Sequence, residues 1–282
     1  MAKRRYSIDE DKIARFVKEG RGLGSGAEYR PWLTVQDVSS RGRSSRIHSC
    51  KTGRVHHLLS DMETAVFLLL DWSNVVTDIR EQFPLDRVVT RRIATEMGVP
   101  HPTDTQSHTD IVMTTDFLVD VQMENGTRQV ARSVKPSDEL GNDRTLEKQE
   151  IERRYWNTNG IDWGLITEQE LPSQRVKNLR WLHEMQSLEQ MVAPYPGYWE
   201  DRCARFLACL PQAVDITIKR FIHRLEDAQG LVTGEGLTVL RHFMAIKRIT
   251  IDLDAKFDLN APTTMLRTAS PAESVNSLRR VA

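Results

Sequence analysis

Apolar and polar positions alternate along the chain in two different rhythms, and these rhythms predict its elements. Residues 60–72, SDMETAVFLLLDW, repeat apolar positions at helical spacing. VVTDIREQF (75–83) has the pattern of a strand and ends at Pro84, while DRVVTRRIATEMG reads as a helix closed by Gly98. The polar stretch HPTDTQSHTD (101–110) reads as a loop. Two strands are expected next, over 111–121 and about 129–135, because Glu124-Asn125-Gly126 sets an Asn-Gly hairpin turn between them. DRTLEKQEIERRYW (143–156) predicts a helix with Gly160 past its end, and IDWGLIT (161–167) a further strand. Strands and helices in this order predict an α/β core with a mixed sheet.

Upstream of this core, Ser7-Ile8-Asp9-Glu10 has the form of a capping box opening an amphipathic helix to about Glu19. The glycines of GRGLGSG (20–26) stop it. That run follows a helix rather than a strand and lacks a Gly-Lys-Ser/Thr ending, so it reads as a flexible link and not a phosphate cradle. A short β-prone segment is expected around Ile47. Downstream, WEDRCARFLACL, then PQAVDITIKRFIHRLEDAQG with Pro in its first position, then GEGLTVLRHFMAIKR predict three helices, and RITIDLDAKF a strand or wing. Three helices and a wing form a winged-helix-like arrangement. Its last helix, with Arg241, Lys247 and Arg248, is placed to meet DNA or to dock a protein. The tail ASPAESVNSLRRVA (269–282) has no core-forming pattern and is expected to be disordered when free.

Composition changes the picture in three ways. A length of 282 residues suits two domains, expected here at 1–170 and 171–268 ahead of the tail at 269–282. With 39% apolar and 28% charged residues, no long apolar run and no signal-like start, the chain is expected to be soluble and intracellular, with no role in a membrane. The three cysteines, Cys50, Cys203 and Cys209, share no metal-ligand spacing.

The net charge of zero hides an asymmetry. Residues 1–60 hold 13 Lys+Arg and 6 Asp+Glu, residues 61–170 hold 11 and 21, and residues 171–282 hold 15 and 12. RGRSSRIHSCKTGR (41–54) carries Arg41, Arg43, Arg46, Lys51 and Arg54 with no acid, which suits a polyanion as well as a solvated surface loop. An acidic centre flanked by basic arms is an arrangement that a nucleic-acid enzyme uses.

Period-two alternation puts Thr114, Asp116, Leu118 and Asp120 on one face of the second strand, and Ala131, Ser133 and Lys135 on one face of the third. An antiparallel hairpin then brings Asp116 beside Ser133 and Lys135. A carboxylate with a lysine beside it suits metal-assisted phosphodiester hydrolysis, and equally an ordinary cross-strand ion pair. Glu63 is the natural second acid, although Ser60-Asp61-Met62-Glu63 is also a capping box. His101, His108 and Asp110 lie upstream on what reads as a solvated loop, and His56 and His57 sit beside Arg54, suited to phosphate contact or to packing at the helix entry.

PWLTVQDV (31–38), KTGRVHHLLSDMETAVF (51–67), DIREQFPL (78–85), TDFLVD (115–120), VKP (134–136) and RTLEKQEIERRYW (144–156) closely resemble the TnsA family, the endonuclease subunits of heteromeric bacterial transposases. The resemblance spans most of residues 1–170. It implies a restriction-endonuclease-like fold that cuts the 5′ strands at transposon ends in the bacterial cytoplasm, while a TnsB partner cuts and joins the 3′ strands and TnsC, an ATP-dependent regulator, engages the C-terminal region. It further implies Glu63 and Asp116 as ligands of Mg²⁺, with Mn²⁺ substituting, and Lys135 as the active-site lysine. On charge and position, Arg41, Arg43, Arg46, Lys51, Arg54, His56 and His57 are the candidates toward DNA. Ser133 departs from the family pattern, which has an acid or Gln there, so the Val134 carbonyl or a water held by Ser133 is expected to complete the metal shell. The alternative is an adaptor with a weakened metal site that binds DNA ends and bridges TnsB to TnsC. A stand-alone nuclease is the third reading.

Overall fold

A computed structural model of the chain describes residues 7–38 and 42–268, so Arg41 and the tail at 269–282 lie outside the described residues. The chain divides into two compact units between Leu171 and Pro172.

The first unit is built on a four-stranded mixed sheet in the order β3-β4-β5-β6. It is preceded by helix α1 (Glu10–Lys18), strands β1 (Ser45–Ser49) and β2 (Arg54–Leu58) and helix α2 (Asp61–Trp72). The sheet strands are β3 (Val76–Pro84), β4 (Thr114–Met123), β5 (Gly126–Val134) and β6 (Asp162–Ile166), with helix α3 (Arg87–Met97) between β3 and β4 and helix α4 (Asp143–Thr158) between β5 and β6. β3, β4 and β5 run antiparallel, and the α4 crossover makes β6 parallel to β5. The Asn-Gly turn sets the β4–β5 register, Phe117 opposite Arg132 and Leu118 opposite Ala131. Leu118 and Ala131 meet Ile93 and Ala94 of α3 and Ile151 and Trp156 of α4 in one buried cluster. Phe117, Val119 and Val130 alternate with them and are also buried, and α2 meets the sheet through β3 and β5.

Local chemistry corrects several expectations. The first helix is capped by Asp9, whose carboxylate accepts from Lys12 N at 2.8 Å, because Ser7 Oγ is donated to Asp104 at 2.9 Å instead. The glycine run is no flexible link. It folds back on β3: a Cβ at Gly22, which has φ +81°, would stand 2.2 Å from Pro84 Cγ, and Gly26 N–H donates to Asp78 Oδ2 at 3.2 Å. The segment around Ile47 is half of a β1–β2 hairpin, with Ser49 opposite Arg54.

The second unit holds helices α5 (Ser173–His183), α6 (Tyr198–Cys209), α7 (Ile218–Gln229) and α8 (Glu235–Ala245), of which α5 was not expected, and strands β7 (Ile249–Thr250) and β8 (Arg267–Thr268). Phe206 of α6 packs edge-on against Phe221 of α7 and tilted against Phe243 of α8. Pro211 lies in a separate 3-10 turn, and α7 starts seven residues later under a Thr217 cap. RITIDLDAKF is a strand for only two residues, since the carbonyls of Leu253 and Ala255 accept from Asn178 of α5 and not from a strand partner. Arg241 is not offered to DNA: it donates to the Trp181 carbonyl and pairs with Glu184 at 2.9 Å. A cavity of about 500 Å³ in this unit is lined by Met191, Tyr195, Trp199, Phe243 and Arg248.

Candidate active site

The α2 N-terminus places Glu63. Ser60 Oγ accepts from Glu63 N–H at 3.0 Å, and the Glu63 carboxylate takes Ser60 Oγ at 3.0 Å and Leu59 N–H at 2.9 Å. This cap and a site role coexist, because Glu63 Oε2 also lies 3.4 Å from Gln82 Nε2, and the same amide nitrogen is 3.3 Å from Asp116 Oδ1. Gln82 stands on β3, between the two acids.

Asp116 and Lys135 meet as the alternation requires. Asp116 Oδ2 accepts from Lys135 Nζ at 3.0 Å and from Val134 N–H at 2.7 Å, and Lys135 Nζ also donates to the Val134 carbonyl at 2.9 Å. Ser133 does not join them. Its hydroxyl donates to Glu152 of α4, an acid that was not among the expected residues. Glu152 Oε1 further accepts from Thr115 Oγ1 at 2.7 Å and from Trp163 Nε1 at 3.1 Å. The signal for Glu152 is its place four residues before the buried Trp156, which puts an acid on the inner face of α4. Gln82 left no comparable signal in the sequence.

The three acids share one electrostatic problem. Burial, and then the nearby Asp116 charge, push both Glu63 and Glu152 up to about 7. Burial alone would lower Lys135, but Asp116 and the flanking glutamates outweigh it and raise its pKa, so it is an ammonium at neutral pH. Both glutamates bind protons more tightly in the folded chain than in the unfolded one. Metal-free protein is therefore expected to be most stable below about pH 4.5 as far as these groups are concerned, and to lose that contribution as pH rises through about 7, by at most about 3 kcal/mol each. Thermal melts in chelator at pH 5 and pH 8 check this, and Glu152→Gln should flatten the difference.

Among the described residues no group of three or more His, Cys, Asp and Glu is placed to hold a metal ion. The oxygens on offer are the carboxylates of Glu63 and Asp116, which share the Gln82 amide nitrogen, and the Val134 carbonyl, which shares Lys135 Nζ with Asp116; all are hard donors. This set fits Mg²⁺, which keeps several waters and takes one or two protein carboxylates plus substrate phosphate.

The C-terminal part of the basic run, Lys51 and Arg54, is turned inward together with His56. Arg54 is buried on β2, donating to Glu81 at 2.9 and 2.5 Å and to the Ile79 carbonyl at 2.7 Å. His56 is fully buried between Glu81 at 2.8 Å and Thr52 at 2.7 Å, and Lys51 Nζ donates to the Ser73 and Val76 carbonyls at 2.7 Å each. These three are structural, because Glu81 and the strand-end carbonyls need donors inside. His57 is half-buried, its ring facing Val35 N–H at 3.4 Å. Arg43 and Arg46 remain exposed, Arg43 3.4 Å from Asp61. His101 bonds Thr90, and Asp110 pairs with Arg91 at 2.8 Å. His108 takes a left-handed backbone at φ 56° in the same loop.

Glu63 of α2, Asp116 of β4 and Lys135 just past β5 meet beside the mixed sheet, and the family models give the class of the chain as an endonuclease: "TnsA-like endonuclease N terminal" matches residues 73–168 and "TnsA endonuclease C terminal" matches residues 170–253. The chain is also 52% identical over 260 residues to "Transposon Tn7 transposition protein TnsA" of Escherichia coli, covering 92% of each. It therefore belongs to the TnsA family of transposition endonucleases. Among the described residues no helix is long and apolar enough to cross a membrane.

Proposed function

We propose that the chain is the Mg²⁺-dependent subunit that cuts the 5′ strands at transposon ends in the bacterial cytoplasm, acting with a TnsB-like 3′-strand transposase and a TnsC-like ATP-dependent regulator. The convergence of Glu63, Asp116 and Lys135 carries this reading. The two carboxylates and the Val134 carbonyl would hold the ion. Bound there, a divalent cation lowers the pKa of a water and offsets charge on the phosphate. Asp116 and the Val134 carbonyl fix Lys135 Nζ from two sides, which aims its remaining N–H donor toward the reacting phosphate. Since Asp116 raises the already high pKa of Lys135, its role is to stabilise negative charge in the transition state rather than to accept a proton. The buried Glu152, outside the Gln82-bridged pair, fixes Ser133 and Thr115 and with them the ends of β5 and β4.

In the second unit, α6 to α8 followed by β7 and β8 support a winged-helix-like reading. Because Arg241 is already bound within the unit, we assign that surface to docking the regulator more than to DNA.

One observation favours the adaptor alternative: Ser133 withholds its hydroxyl from the acid pair. Strand-resolved cleavage of transposon-end DNA with the TnsB and TnsC partners separates the two. Cuts on the 5′ strand that require this chain and Mg²⁺, and fail in Ca²⁺, support the nuclease. Cuts confined to the 3′ strand, with DNA ends still bound, make the chain an adaptor.

A further inference from the structure

Gln82 occupies an unusual backbone. Its φ is +48°, a left-handed value shared among the described non-glycine residues only with His108, Asp215 and Lys247, and Gln82 alone has it inside a strand. Such a conformation costs free energy for a residue with a Cβ and persists only where its surroundings hold it. The Gln82 carbonyl accepts from Trp32 N–H at 3.2 Å, and the residue is 3% exposed. The side chain that results is aimed between the acids. Its Oε1 accepts from Thr114 Oγ1 at 3.0 Å, and its Nε2 spans Glu63 Oε2 at 3.4 Å and Asp116 Oδ1 at 3.3 Å. The Thr114 hydroxyl already occupies Oε1, which leaves the nitrogen to face the two acids.

One –NH₂ group has two donors, and here there are two carboxylates to receive them. A Lys or Arg in this place would supply a permanent positive charge where a cation is wanted. A Glu would add a third negative one. The neutral amide does neither: it meets one oxygen of each carboxylate and adds no charge to that of Lys135, which pairs with the other oxygen of Asp116 at 3.0 Å. We infer that Gln82 is a positioning residue for cation uptake, its strained backbone serving to hold an amide between Glu63 and Asp116 while no ion is bound. This inference rests on the reading of that pair as the metal site.

The test measures binding of Mn²⁺ alone to the full chain, without DNA, by calorimetry and by the paramagnetic resonance of free Mn²⁺, together with melting temperature in chelator. Gln82→Asn is the informative variant. Asparagine tolerates the left-handed backbone better than glutamine, yet its amide falls one methylene short of the acids. It should fold with a melting temperature at or above that of the native chain and bind Mn²⁺ about tenfold or more weakly, the effect typical of losing a group that orients metal ligands. Gln82→Glu should move the other way: a lower melting temperature in chelator, and Mn²⁺ bound about tenfold more tightly through a third carboxylate. A glutamine needed only for packing would weaken Mn²⁺ binding in both variants or in neither, and either pattern overturns the inference. Asp116→Ala measured in parallel separates this failure from that of the site itself. If Asp116→Ala binds Mn²⁺ as the native chain does, the ion is elsewhere and both readings fall. If it loses Mn²⁺ while Gln82→Asn does not, only the role of Gln82 falls.

Discussion

Asp116→Ala is expected to abolish 5′-strand cutting, by at least about a thousandfold, while 3′-strand cutting by the partner subunit continues. The carboxylate removed is the meeting point of the site, since Val134 N–H, Lys135 Nζ and Gln82 Nε2 all converge on it. Without it, Lys135 loses its ion-pair partner, and of the proposed ligands only Glu63 and a carbonyl would remain to hold a cation. The variant should still fold, because the lost hydrogen bonds cost about 1–3 kcal/mol, less than a domain can bear. Asp116→Asn sharpens the test by keeping an acceptor for Val134 N–H and removing the charge. Strand-resolved gels with both partners supply the reading. Persistence of 5′ cuts at a tenth or more of the native rate would reduce Asp116 and Lys135 to a cross-strand ion pair.

Glu81→Ala is the substitution expected to harm the fold most. Glu81 is fully buried, and its carboxylate receives Arg54 through two nitrogens, His56 Nδ1 at 2.8 Å and His57 N–H at 3.0 Å. Burial alone would raise its pKa, but Arg54 and His56 hold it at about 2. Truncation leaves the Arg54 guanidinium buried beside no anion, a loss of about 3–5 kcal/mol measurable as a shift in the denaturant midpoint. Replacing Arg54 and Glu81 together with Met and Leu should recover much of it, because the uncompensated charge then disappears. The pH dependence runs opposite to that of Glu63 and Glu152. The stability that Glu81 contributes is complete above about pH 4.5 and is lost as pH falls through about 2.

How far the sequence could be read depended on whether the governing contact was local. Asp116 and Lys135 were legible because strand alternation and one Asn-Gly turn suffice to bring them together. Glu63 was legible as a cap, which it is, and its carboxylate also lies 3.4 Å from the Gln82 amide that reaches Asp116. Ser133 was assigned to the right strand face but the wrong neighbour, since only the packing of α4 against β5 reveals Glu152 as its partner. Gln82 was invisible: nothing in EQFP announces a left-handed residue, which is held in place by Trp32 fifty positions upstream. The basic run misled for a related reason. On β2 the polar Arg54 and His56 point inward and Val55 is 45% exposed, an inversion that makes sense only once Glu81 is known to wait beneath them. In the second unit the start of α7 drifted because the Thr217 side chain caps it, while Pro211 lies in a separate 3-10 turn.

The inward-facing hairpin also bears on how this chain grips a duplex. Neutralising a phosphate expels a condensed counterion, and the number expelled sets how steeply affinity falls with salt. Arg54, His56 and Lys51 are already committed to Glu81 and to the carbonyls at the ends of α2 and β3, so they expel none. Two cations of the stretch that looks most like a polyelectrolyte arm, Lys51 and Arg54, thus set the shape of the nuclease unit. Among the described residues of that stretch, the ionic-strength dependence of a hold on DNA would fall to the exposed Arg43 and Arg46.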